Sequence, residues 1–279
     1  MSRHFTAAGP GLAKEGLKMC QLLGMNCNTP TDITFSFEGF SKRGGQTDHH
    51  ADGWGIAFFE EHCARLFIDH KPAVESPIAD FVRTYPMRSV NVIAHIRKAT
   101  QGNIALRNCH PFQRELWGQT WVFAHNGNLE NFTPELDGSY LPVGETDSEQ
   151  AFCLIMQTLR QTHGACASKV RPTVGDIVKT METVVRHIAA HGTFNMLLSN
   201  GEALYSFCST ELHSVVRQHP FNTAHLSDCD MTVDFSEVAQ EGDRVAVIAT
   251  RPLTDNEIWQ QHRAGEFRVF VSGQTLLAR

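Results

Sequence analysis

Cys20 sits directly behind Met19 in LKMCQLLGM, and a cysteine in that place becomes the first residue of any chain whose synthesis starts at Met19. As an N-terminal residue it would carry its own base. An α-amino group, with an ordinary pKa of about 7.7–8.0, can take the thiol proton directly or through a water. Three other segments hold groups suited to the same chemistry. In AHIRKAT, Arg97 and Thr100 follow an apolar run; a guanidinium there can hold a carboxylate in a bidentate pair while the hydroxyl adds a bond. In AHNGNL, Asn126 and Gly127 offer a side-chain amide and an unhindered backbone N–H to a developing oxyanion, each such donor being worth about 2.7–4 kcal/mol. In GETDSEQAF, Thr146 and Glu149 have capping-box spacing, and Asp147 either complements a helix dipole or pairs with a substrate ammonium. Taken singly, each has an ordinary structural reading: a buried thiol, a surface ion pair, a hairpin turn and a helix cap. For Asn126-Gly127 the turn is the weaker reading, because LENFTPEL downstream does not alternate as a returning strand would.

Strands and helices must carry these groups. From Cys20 a strand runs to a turn at NTPTD; ITFSFEGFSKRGG has short-helix character, and the Gly/His-rich loop QTDHHADGWG leads into the strand IAFFE. SPIADFVRTYP places Ile78, Phe81 and Val82 at helical spacing, with Pro86 as its stop. SVNVIAHI and WVFAHNG are short β-branched or aromatic runs that deliver polar groups at their ends. Residues 149–160 put Phe152, Ile155 and Leu159 on one helical face. A second helix is predicted over Val174 to His191, with Ile177, Met181, Val184, Val185 and Ile188 as its stripe and Gly192 as its stop. TFNMLLSNGEALYSFCS reads as a hairpin with a primed Asn200-Gly201 turn, and DRVAVIAT and FRVFVSG add strands. This order is α+β, without strict βαβ alternation. Residues 1–19 show no period and read as a leader; residues 20–279 read as one domain.

Composition narrows the partners. The chain has 279 residues, 42% hydrophobic and 19% charged, the balance of an ordinary globular protein. Its net charge of −6 disfavours nucleic acid and anionic lipid, which need a clustered positive field. No run approaches the ~20 apolar residues of a membrane span, and the first eighteen lack a secretory apolar stretch, so the expected address is the cytoplasm. Eight cysteines without CxxC spacing suggest neither a disulfide framework nor a zinc site. The stretch DHHAD, His49 to Asp52, reads as a solvated lid rather than a metal site, and neither metal nor cofactor is expected. Trp54 in DGWG is a pocket wall or a core residue; His95, His110 and His125 are neighbours the chemistry does not require.

Together these segments resemble the class II glutamine amidotransferases, the N-terminal-nucleophile hydrolases whose mature chain begins with cysteine. The resemblance rests on MC before an apolar strand, HIRKAT, HNGN and ETDSE; MCQLLGMN, DGWGIAFF, HPFQRELWG, PVGETDSEQAF, FNMLLSNG and VIATRPLTDNE extend it to the stand-alone YafJ-like subgroup from Met19 nearly to the C-terminus. It implies a four-layer αββα sandwich of two antiparallel sheets. It also implies that Cys20 attacks the side-chain amide of glutamine, Asn126 and Gly127 hold the oxyanion, Arg97 and Thr100 bind the α-carboxylate and Asp147 the α-ammonium. The ammonia would pass to a synthase on a partner chain, or the enzyme would instead be a γ-glutamyl amidase for glutathione-like compounds. A regulatory protein with a blocked nucleophile is the remaining reading, and it requires that residues 1–18 stay attached. Lys14-Glu15 can be encoded by a ribosome-binding-like sequence, so a start at Met19 is expected; removal of a propeptide is the other route to a free Cys20.

Overall fold

The computed structural model describes residues 20–48, 50–99, 101–164 and 171–279. Directly after Cys20 comes strand β1 (Gln21–Asp32), followed by helix α1 (Thr34–Lys42), the hairpin β2 (Trp54–Glu60) and β3 (Cys63–Asp69), helix α2 (Pro77–Thr84) and β4 (Arg88–Ile96). Strands β5 (Phe112–Leu116) and β6 (Gln119–Leu129) precede two long helices, α3 (Asp147–His163) and α4 (Val174–Ala189). The remainder is strand-rich: β7 (Gly192–Ser199), β8 (Ala203–Cys208), β9 (His213–Gln218), the ribbon β10 (Thr223–His225) and β11 (Thr232–Asp234), the single turn α5 (Phe235–Val238), β12 (Arg244–Ala249), β13 (Gln260–Gln261), β14 (Glu266–Val271) and β15 (Gln274–Ala278).

Two antiparallel sheets form the centre, one of seven strands ordered β13-β9-β12-β1-β4-β2-β3 and one of six ordered β15-β14-β8-β7-β6-β5. Period-2 alternation sends each strand's side chains to two different layers. In β6, Val122 and Ala124 face the other sheet with Leu22, Ile93 and Leu197. Trp121 and Phe123 face outward to α3 and α4, where Phe152, Ile155, Ile177 and Met181 pack. In β1, Leu23 and Met25 pack outward with Phe37, Phe40 and Val82 of α1 and α2. The result is the expected αββα sandwich, and the outer faces close only because each helix carries an apolar stripe. On α4 that stripe is Ile177, Met181, Val184, Val185 and Ile188, all buried, each worth about 1.5–3 kcal/mol relative to exposure.

Several local expectations are corrected. The chain does not turn at NTPTD: β1 continues to Asp32, and a bulge between Asn26 and Thr31 absorbs the proline. Helix α2 buries Ala79 and Val82, while Ile78 and Phe81 lie outward. Gly192 does not stop α4, which ends at Ala189; it opens β7, where a side chain would strike the Asn128 carbonyl at 2.2 Å. The β7–β8 loop has positive φ at Gly201 and not at Asn200, so it is not the type I′ turn that the dipeptide suggests.

Candidate active site

The register of β1 against β4 places Gln21 opposite Ile96, so Cys20 and the Arg97-Lys98 segment lie side by side at the same end of these two neighbouring strands. The Cys20 thiol donates to the Lys98 carbonyl at 3.2 Å and accepts the Lys98 N–H at 3.0 Å. With a peptide bond on its N-terminal side, burial pushes this thiol up to about 11, opposed by the Lys98 N–H and the positive charge of Arg97.

Arg97 is 3% exposed, and its guanidinium faces inward. Its terminal N–H groups donate to four backbone carbonyls, those of Asp52, Gln101, Gly102 and Asn103, at 2.9–3.5 Å. The 101–103 loop is pinned twice more. Gln101 donates its side-chain amide to Asn128 Oδ1 at 2.7 Å and to the Leu129 carbonyl at 3.2 Å; the wholly buried Asn108 donates to the Asn103 carbonyl and accepts from Glu145 N–H, both at 3.0 Å. Thr100 lies outside the described residues, as does His49. Asp52 accepts the Ala99 N–H at 2.8 Å and thereby ties the DHHAD loop to the segment after β4. Among the described residues no group of three acidic, histidine or cysteine side chains is placed to hold a metal.

Asn126 and Gly127 lie neither in a turn nor at a strand end. They sit within β6, opposite Asn195 and Phe194 of β7, and the strand runs on to Leu129. By parity Asn126 shares the inter-sheet face of Val122 and Ala124, where its Nδ2 donates to Thr250 Oγ1 at 3.3 Å and its buried Oδ1 has no partner among the described residues. Only glycine fits at 127, since a Cβ would lie 1.9 Å from the Thr193 carbonyl oxygen. His125 has the opposite parity and lies tilted against Phe194, ring centroids 4.9 Å apart. Its Nε2–H donates to the Thr193 carbonyl at 3.1 Å, which leaves Nδ1 to accept the Ser148 hydroxyl at 2.8 Å.

Asp147 opens α3. Thr146 caps the helix by accepting the Glu149 N–H at 3.2 Å, and the Asp147 carboxylate accepts the Leu129 N–H at 2.7 Å, joining the helix start to the end of β6. The reciprocal arm of a capping box is not made. Glu149, 1% exposed, bonds instead to Gly144 N–H and to the Arg114 guanidinium, both at 2.6 Å, and so holds the loop leading into α3. The three histidines are kept neutral chiefly by burial, which lowers His95 to about 3, His110 well below the usual imidazole range, and His125 against the opposing pull of Asp147. Trp54 belongs to the outer core of the seven-stranded sheet, 5.8 Å from the Phe37 ring.

Cys20, Arg97, Lys98, Gln101, His110, His125, Gly127, Thr146, Asp147 and Ser148 surround one cavity of about 20 Å³, room for about one water molecule. Gln101 and Asn108 lie in none of the segments that carry the resemblance; Ser148 and Thr250 lie in ETDSE and VIATRPLTDNE, but only their hydrogen bonds to other parts of the chain connect them to the site.

The family model for Glutamine amidotransferases class-II matches residues 19–279. The chain belongs to the class II glutamine amidotransferases. A Haemophilus influenzae protein named for glutamine amidotransferase is 52% identical over 258 residues, 92% of this chain and 86% of that one. YafJ of Escherichia coli is 46% identical over 259 residues, which span 93% of this chain and 100% of YafJ. A crystal structure of a predicted glutamine amidotransferase from Pseudomonas aeruginosa superposes with a TM-score of 0.72 at 40% identity, covering 92% of this chain and 100% of that one. The Bacillus subtilis glutamine phosphoribosylpyrophosphate amidotransferase, 12% identical with a TM-score of 0.55, shares the fold over 93% of this chain and 49% of its own. Among the described residues no helix is long and apolar enough to cross a membrane.

Proposed function

We propose that this amidotransferase hydrolyses the side-chain amide of glutamine through a Cys20 γ-glutamyl thioester, with the mature enzyme starting at Cys20 and residues 20–279 acting as one catalytic domain. The observation that carries this reading is the convergence of Cys20, Arg97, Gly127 and Asp147 on a single cavity from four separate segments. The freed α-amino group takes the thiol proton, and sulfur attacks the δ-carbon. Asn126 Nδ2 and the Gly127 N–H carry the negative charge that develops on oxygen. As the tetrahedral adduct collapses, the C–N bond breaks and the same amine returns its proton to the departing ammonia. Water then cleaves the thioester to release glutamate. Arg97, with Thr100, takes the α-carboxylate by exchanging some of its carbonyl partners for carboxylate oxygens, and Asp147 takes the α-ammonium. The ammonia is passed to a synthase on a partner chain.

The test is a side-by-side assay of the chain beginning at Cys20 on glutamine, glutathione and γ-glutamyl dipeptides. Glutamine is expected to be turned over fastest, and Cys20→Ala to fold normally with no turnover. Faster cleavage of γ-glutamyl peptides would instead make the enzyme a γ-glutamyl amidase with the same glutamyl-binding groups, and full activity in Cys20→Ala would remove the nucleophile assignment.

A further inference from the structure

Thr250 lies just beyond β12, some 230 residues from the nucleophile in sequence, yet its side chain is fixed against both halves of the site. The paired register of β1 and β12 stops at Leu23 and Ala249. One position further on, Thr250 N–H donates to the Leu22 carbonyl at 3.1 Å, and the Leu22 N–H finds its acceptor not in the backbone but in Thr250 Oγ1, at 2.9 Å. The same oxygen accepts Asn126 Nδ2 at 3.3 Å. A hydroxyl oxygen offers two lone pairs, so these two N–H donors use both. One atom thus links the strand that follows Cys20 to the Asn126 side-chain amide, the donor assigned above to the oxyanion, and all three residues are buried.

The hydroxyl is itself held in place. His213 donates to the Thr250 carbonyl at 2.9 Å. Arg43, paired with Asp228, donates to the Arg251 carbonyl at 3.1 Å and the Pro252 carbonyl at 2.6 Å, so the segment after β12 is clamped from both sides. A second consequence concerns the Asn126 amide. Its Nδ2 donates to Thr250 Oγ1, and that bond sets which way the amide plane faces.

We propose that Thr250 is the positioning residue of the oxyanion site, setting the orientation of the Asn126 amide relative to the Cys20 strand through a single shared hydroxyl. This inference rests on the hydrolytic reading of Cys20 given above. It acts on groups needed only when charge develops on the amide oxygen, so its loss should appear in kcat rather than KM. Thr250→Val keeps the shape and removes the hydroxyl, and is expected to lower kcat about 10- to 100-fold with KM within about twofold. Thr250→Ser, which restores the hydroxyl, should recover most of that loss.

A purely structural role would also weaken the variant, so the deciding measurement is the double variant. In an Asn126→Ala background, Thr250→Val is expected to cost no more than about twofold in kcat, because the amide it orients is already gone. An undiminished penalty in that background, an unchanged kcat in Thr250→Val alone, or failure of Thr250→Ser to recover would each overturn the inference. If the unsubstituted chain, starting at Cys20, forms no glutamate from glutamine or any γ-glutamyl compound, the hydrolytic reading itself falls, an outcome distinct from an active enzyme that is indifferent to Thr250.

Discussion

At Cys20 the local environment works against the thiolate. Lys98 supplies one helpful N–H and Arg97 a helpful charge, but burial outweighs both and holds the thiol near 11. The sign of the pH dependence follows directly: the reactive form is the deprotonated one, so alkylation of Cys20 in a chain retaining Met19 should rise about tenfold per pH unit through neutrality and level off only near pH 11. Peptide-level mass spectrometry after timed iodoacetamide exposure would report it, with exposed Cys63 as the internal comparison. A plateau near pH 8 with Met19 attached would contradict the picture. Arg97 is the other residue whose chemistry is particular to its side chain. Lysine cannot reach four carbonyls and a carboxylate with one ammonium, so Arg97→Lys is expected to raise KM for glutamine by about 10- to 100-fold. An unaltered KM would remove Arg97 from substrate binding.

The site depends on elements meeting at backbone distance, most tightly where β6 passes β7. Gly127→Ala would drive a Cβ into the Thr193 carbonyl and the His125 ring, separating the two strands at Gly127, whose N–H we propose for the oxyanion. We expect a loss of about 2–3 kcal/mol, roughly 5–10 °C in melting temperature, together with loss of turnover. Calorimetry showing wild-type stability would mean that the strands yield more easily than this geometry implies. The limits of sequence reasoning also lie at this scale. The stripe on α4 was legible because five apolar residues at helical spacing have one way to be buried together. The place of Asn126-Gly127 within a strand was not legible, since the dipeptide favours turns and only the pairing with β7 overrides that preference. Ile78 and Phe81 have the right period for α2 yet lie on its outer side, because a short helix has too few positions to fix its facing. Gln101, Asn108 and Thr250 were invisible for a different reason. Each is a small polar residue whose meaning comes from a partner in another loop or strand, and spacing along the chain does not encode that.

For the molecule as a whole, the question is where the working chain begins. Both the family match and the YafJ alignment cover nearly the whole chain, and the family match starts at Met19. We expect the protein isolated from its native cell to give an intact mass beginning at Cys20, and a version forced to retain residues 1–19 to lose at least about 100-fold in glutamine turnover, since a peptide nitrogen cannot serve as the base. A retained leader with undiminished activity would require another proton acceptor and would sink the mechanism. The order of strands adds a constraint on timing. Strand β1, which follows Cys20, lies between β4 and β12, and β12 comes far later in the sequence than either. At typical elongation rates roughly 10–50 s separate the emergence of Cys20 from that of Thr250. Through that interval a nascent chain holds Cys20, Arg97 and Asn126, but one flank of β1 lacks its neighbour. A product truncated before residue 244 would leave that flank of β1 with unmet backbone N–H and C=O groups, open to pairing with another chain.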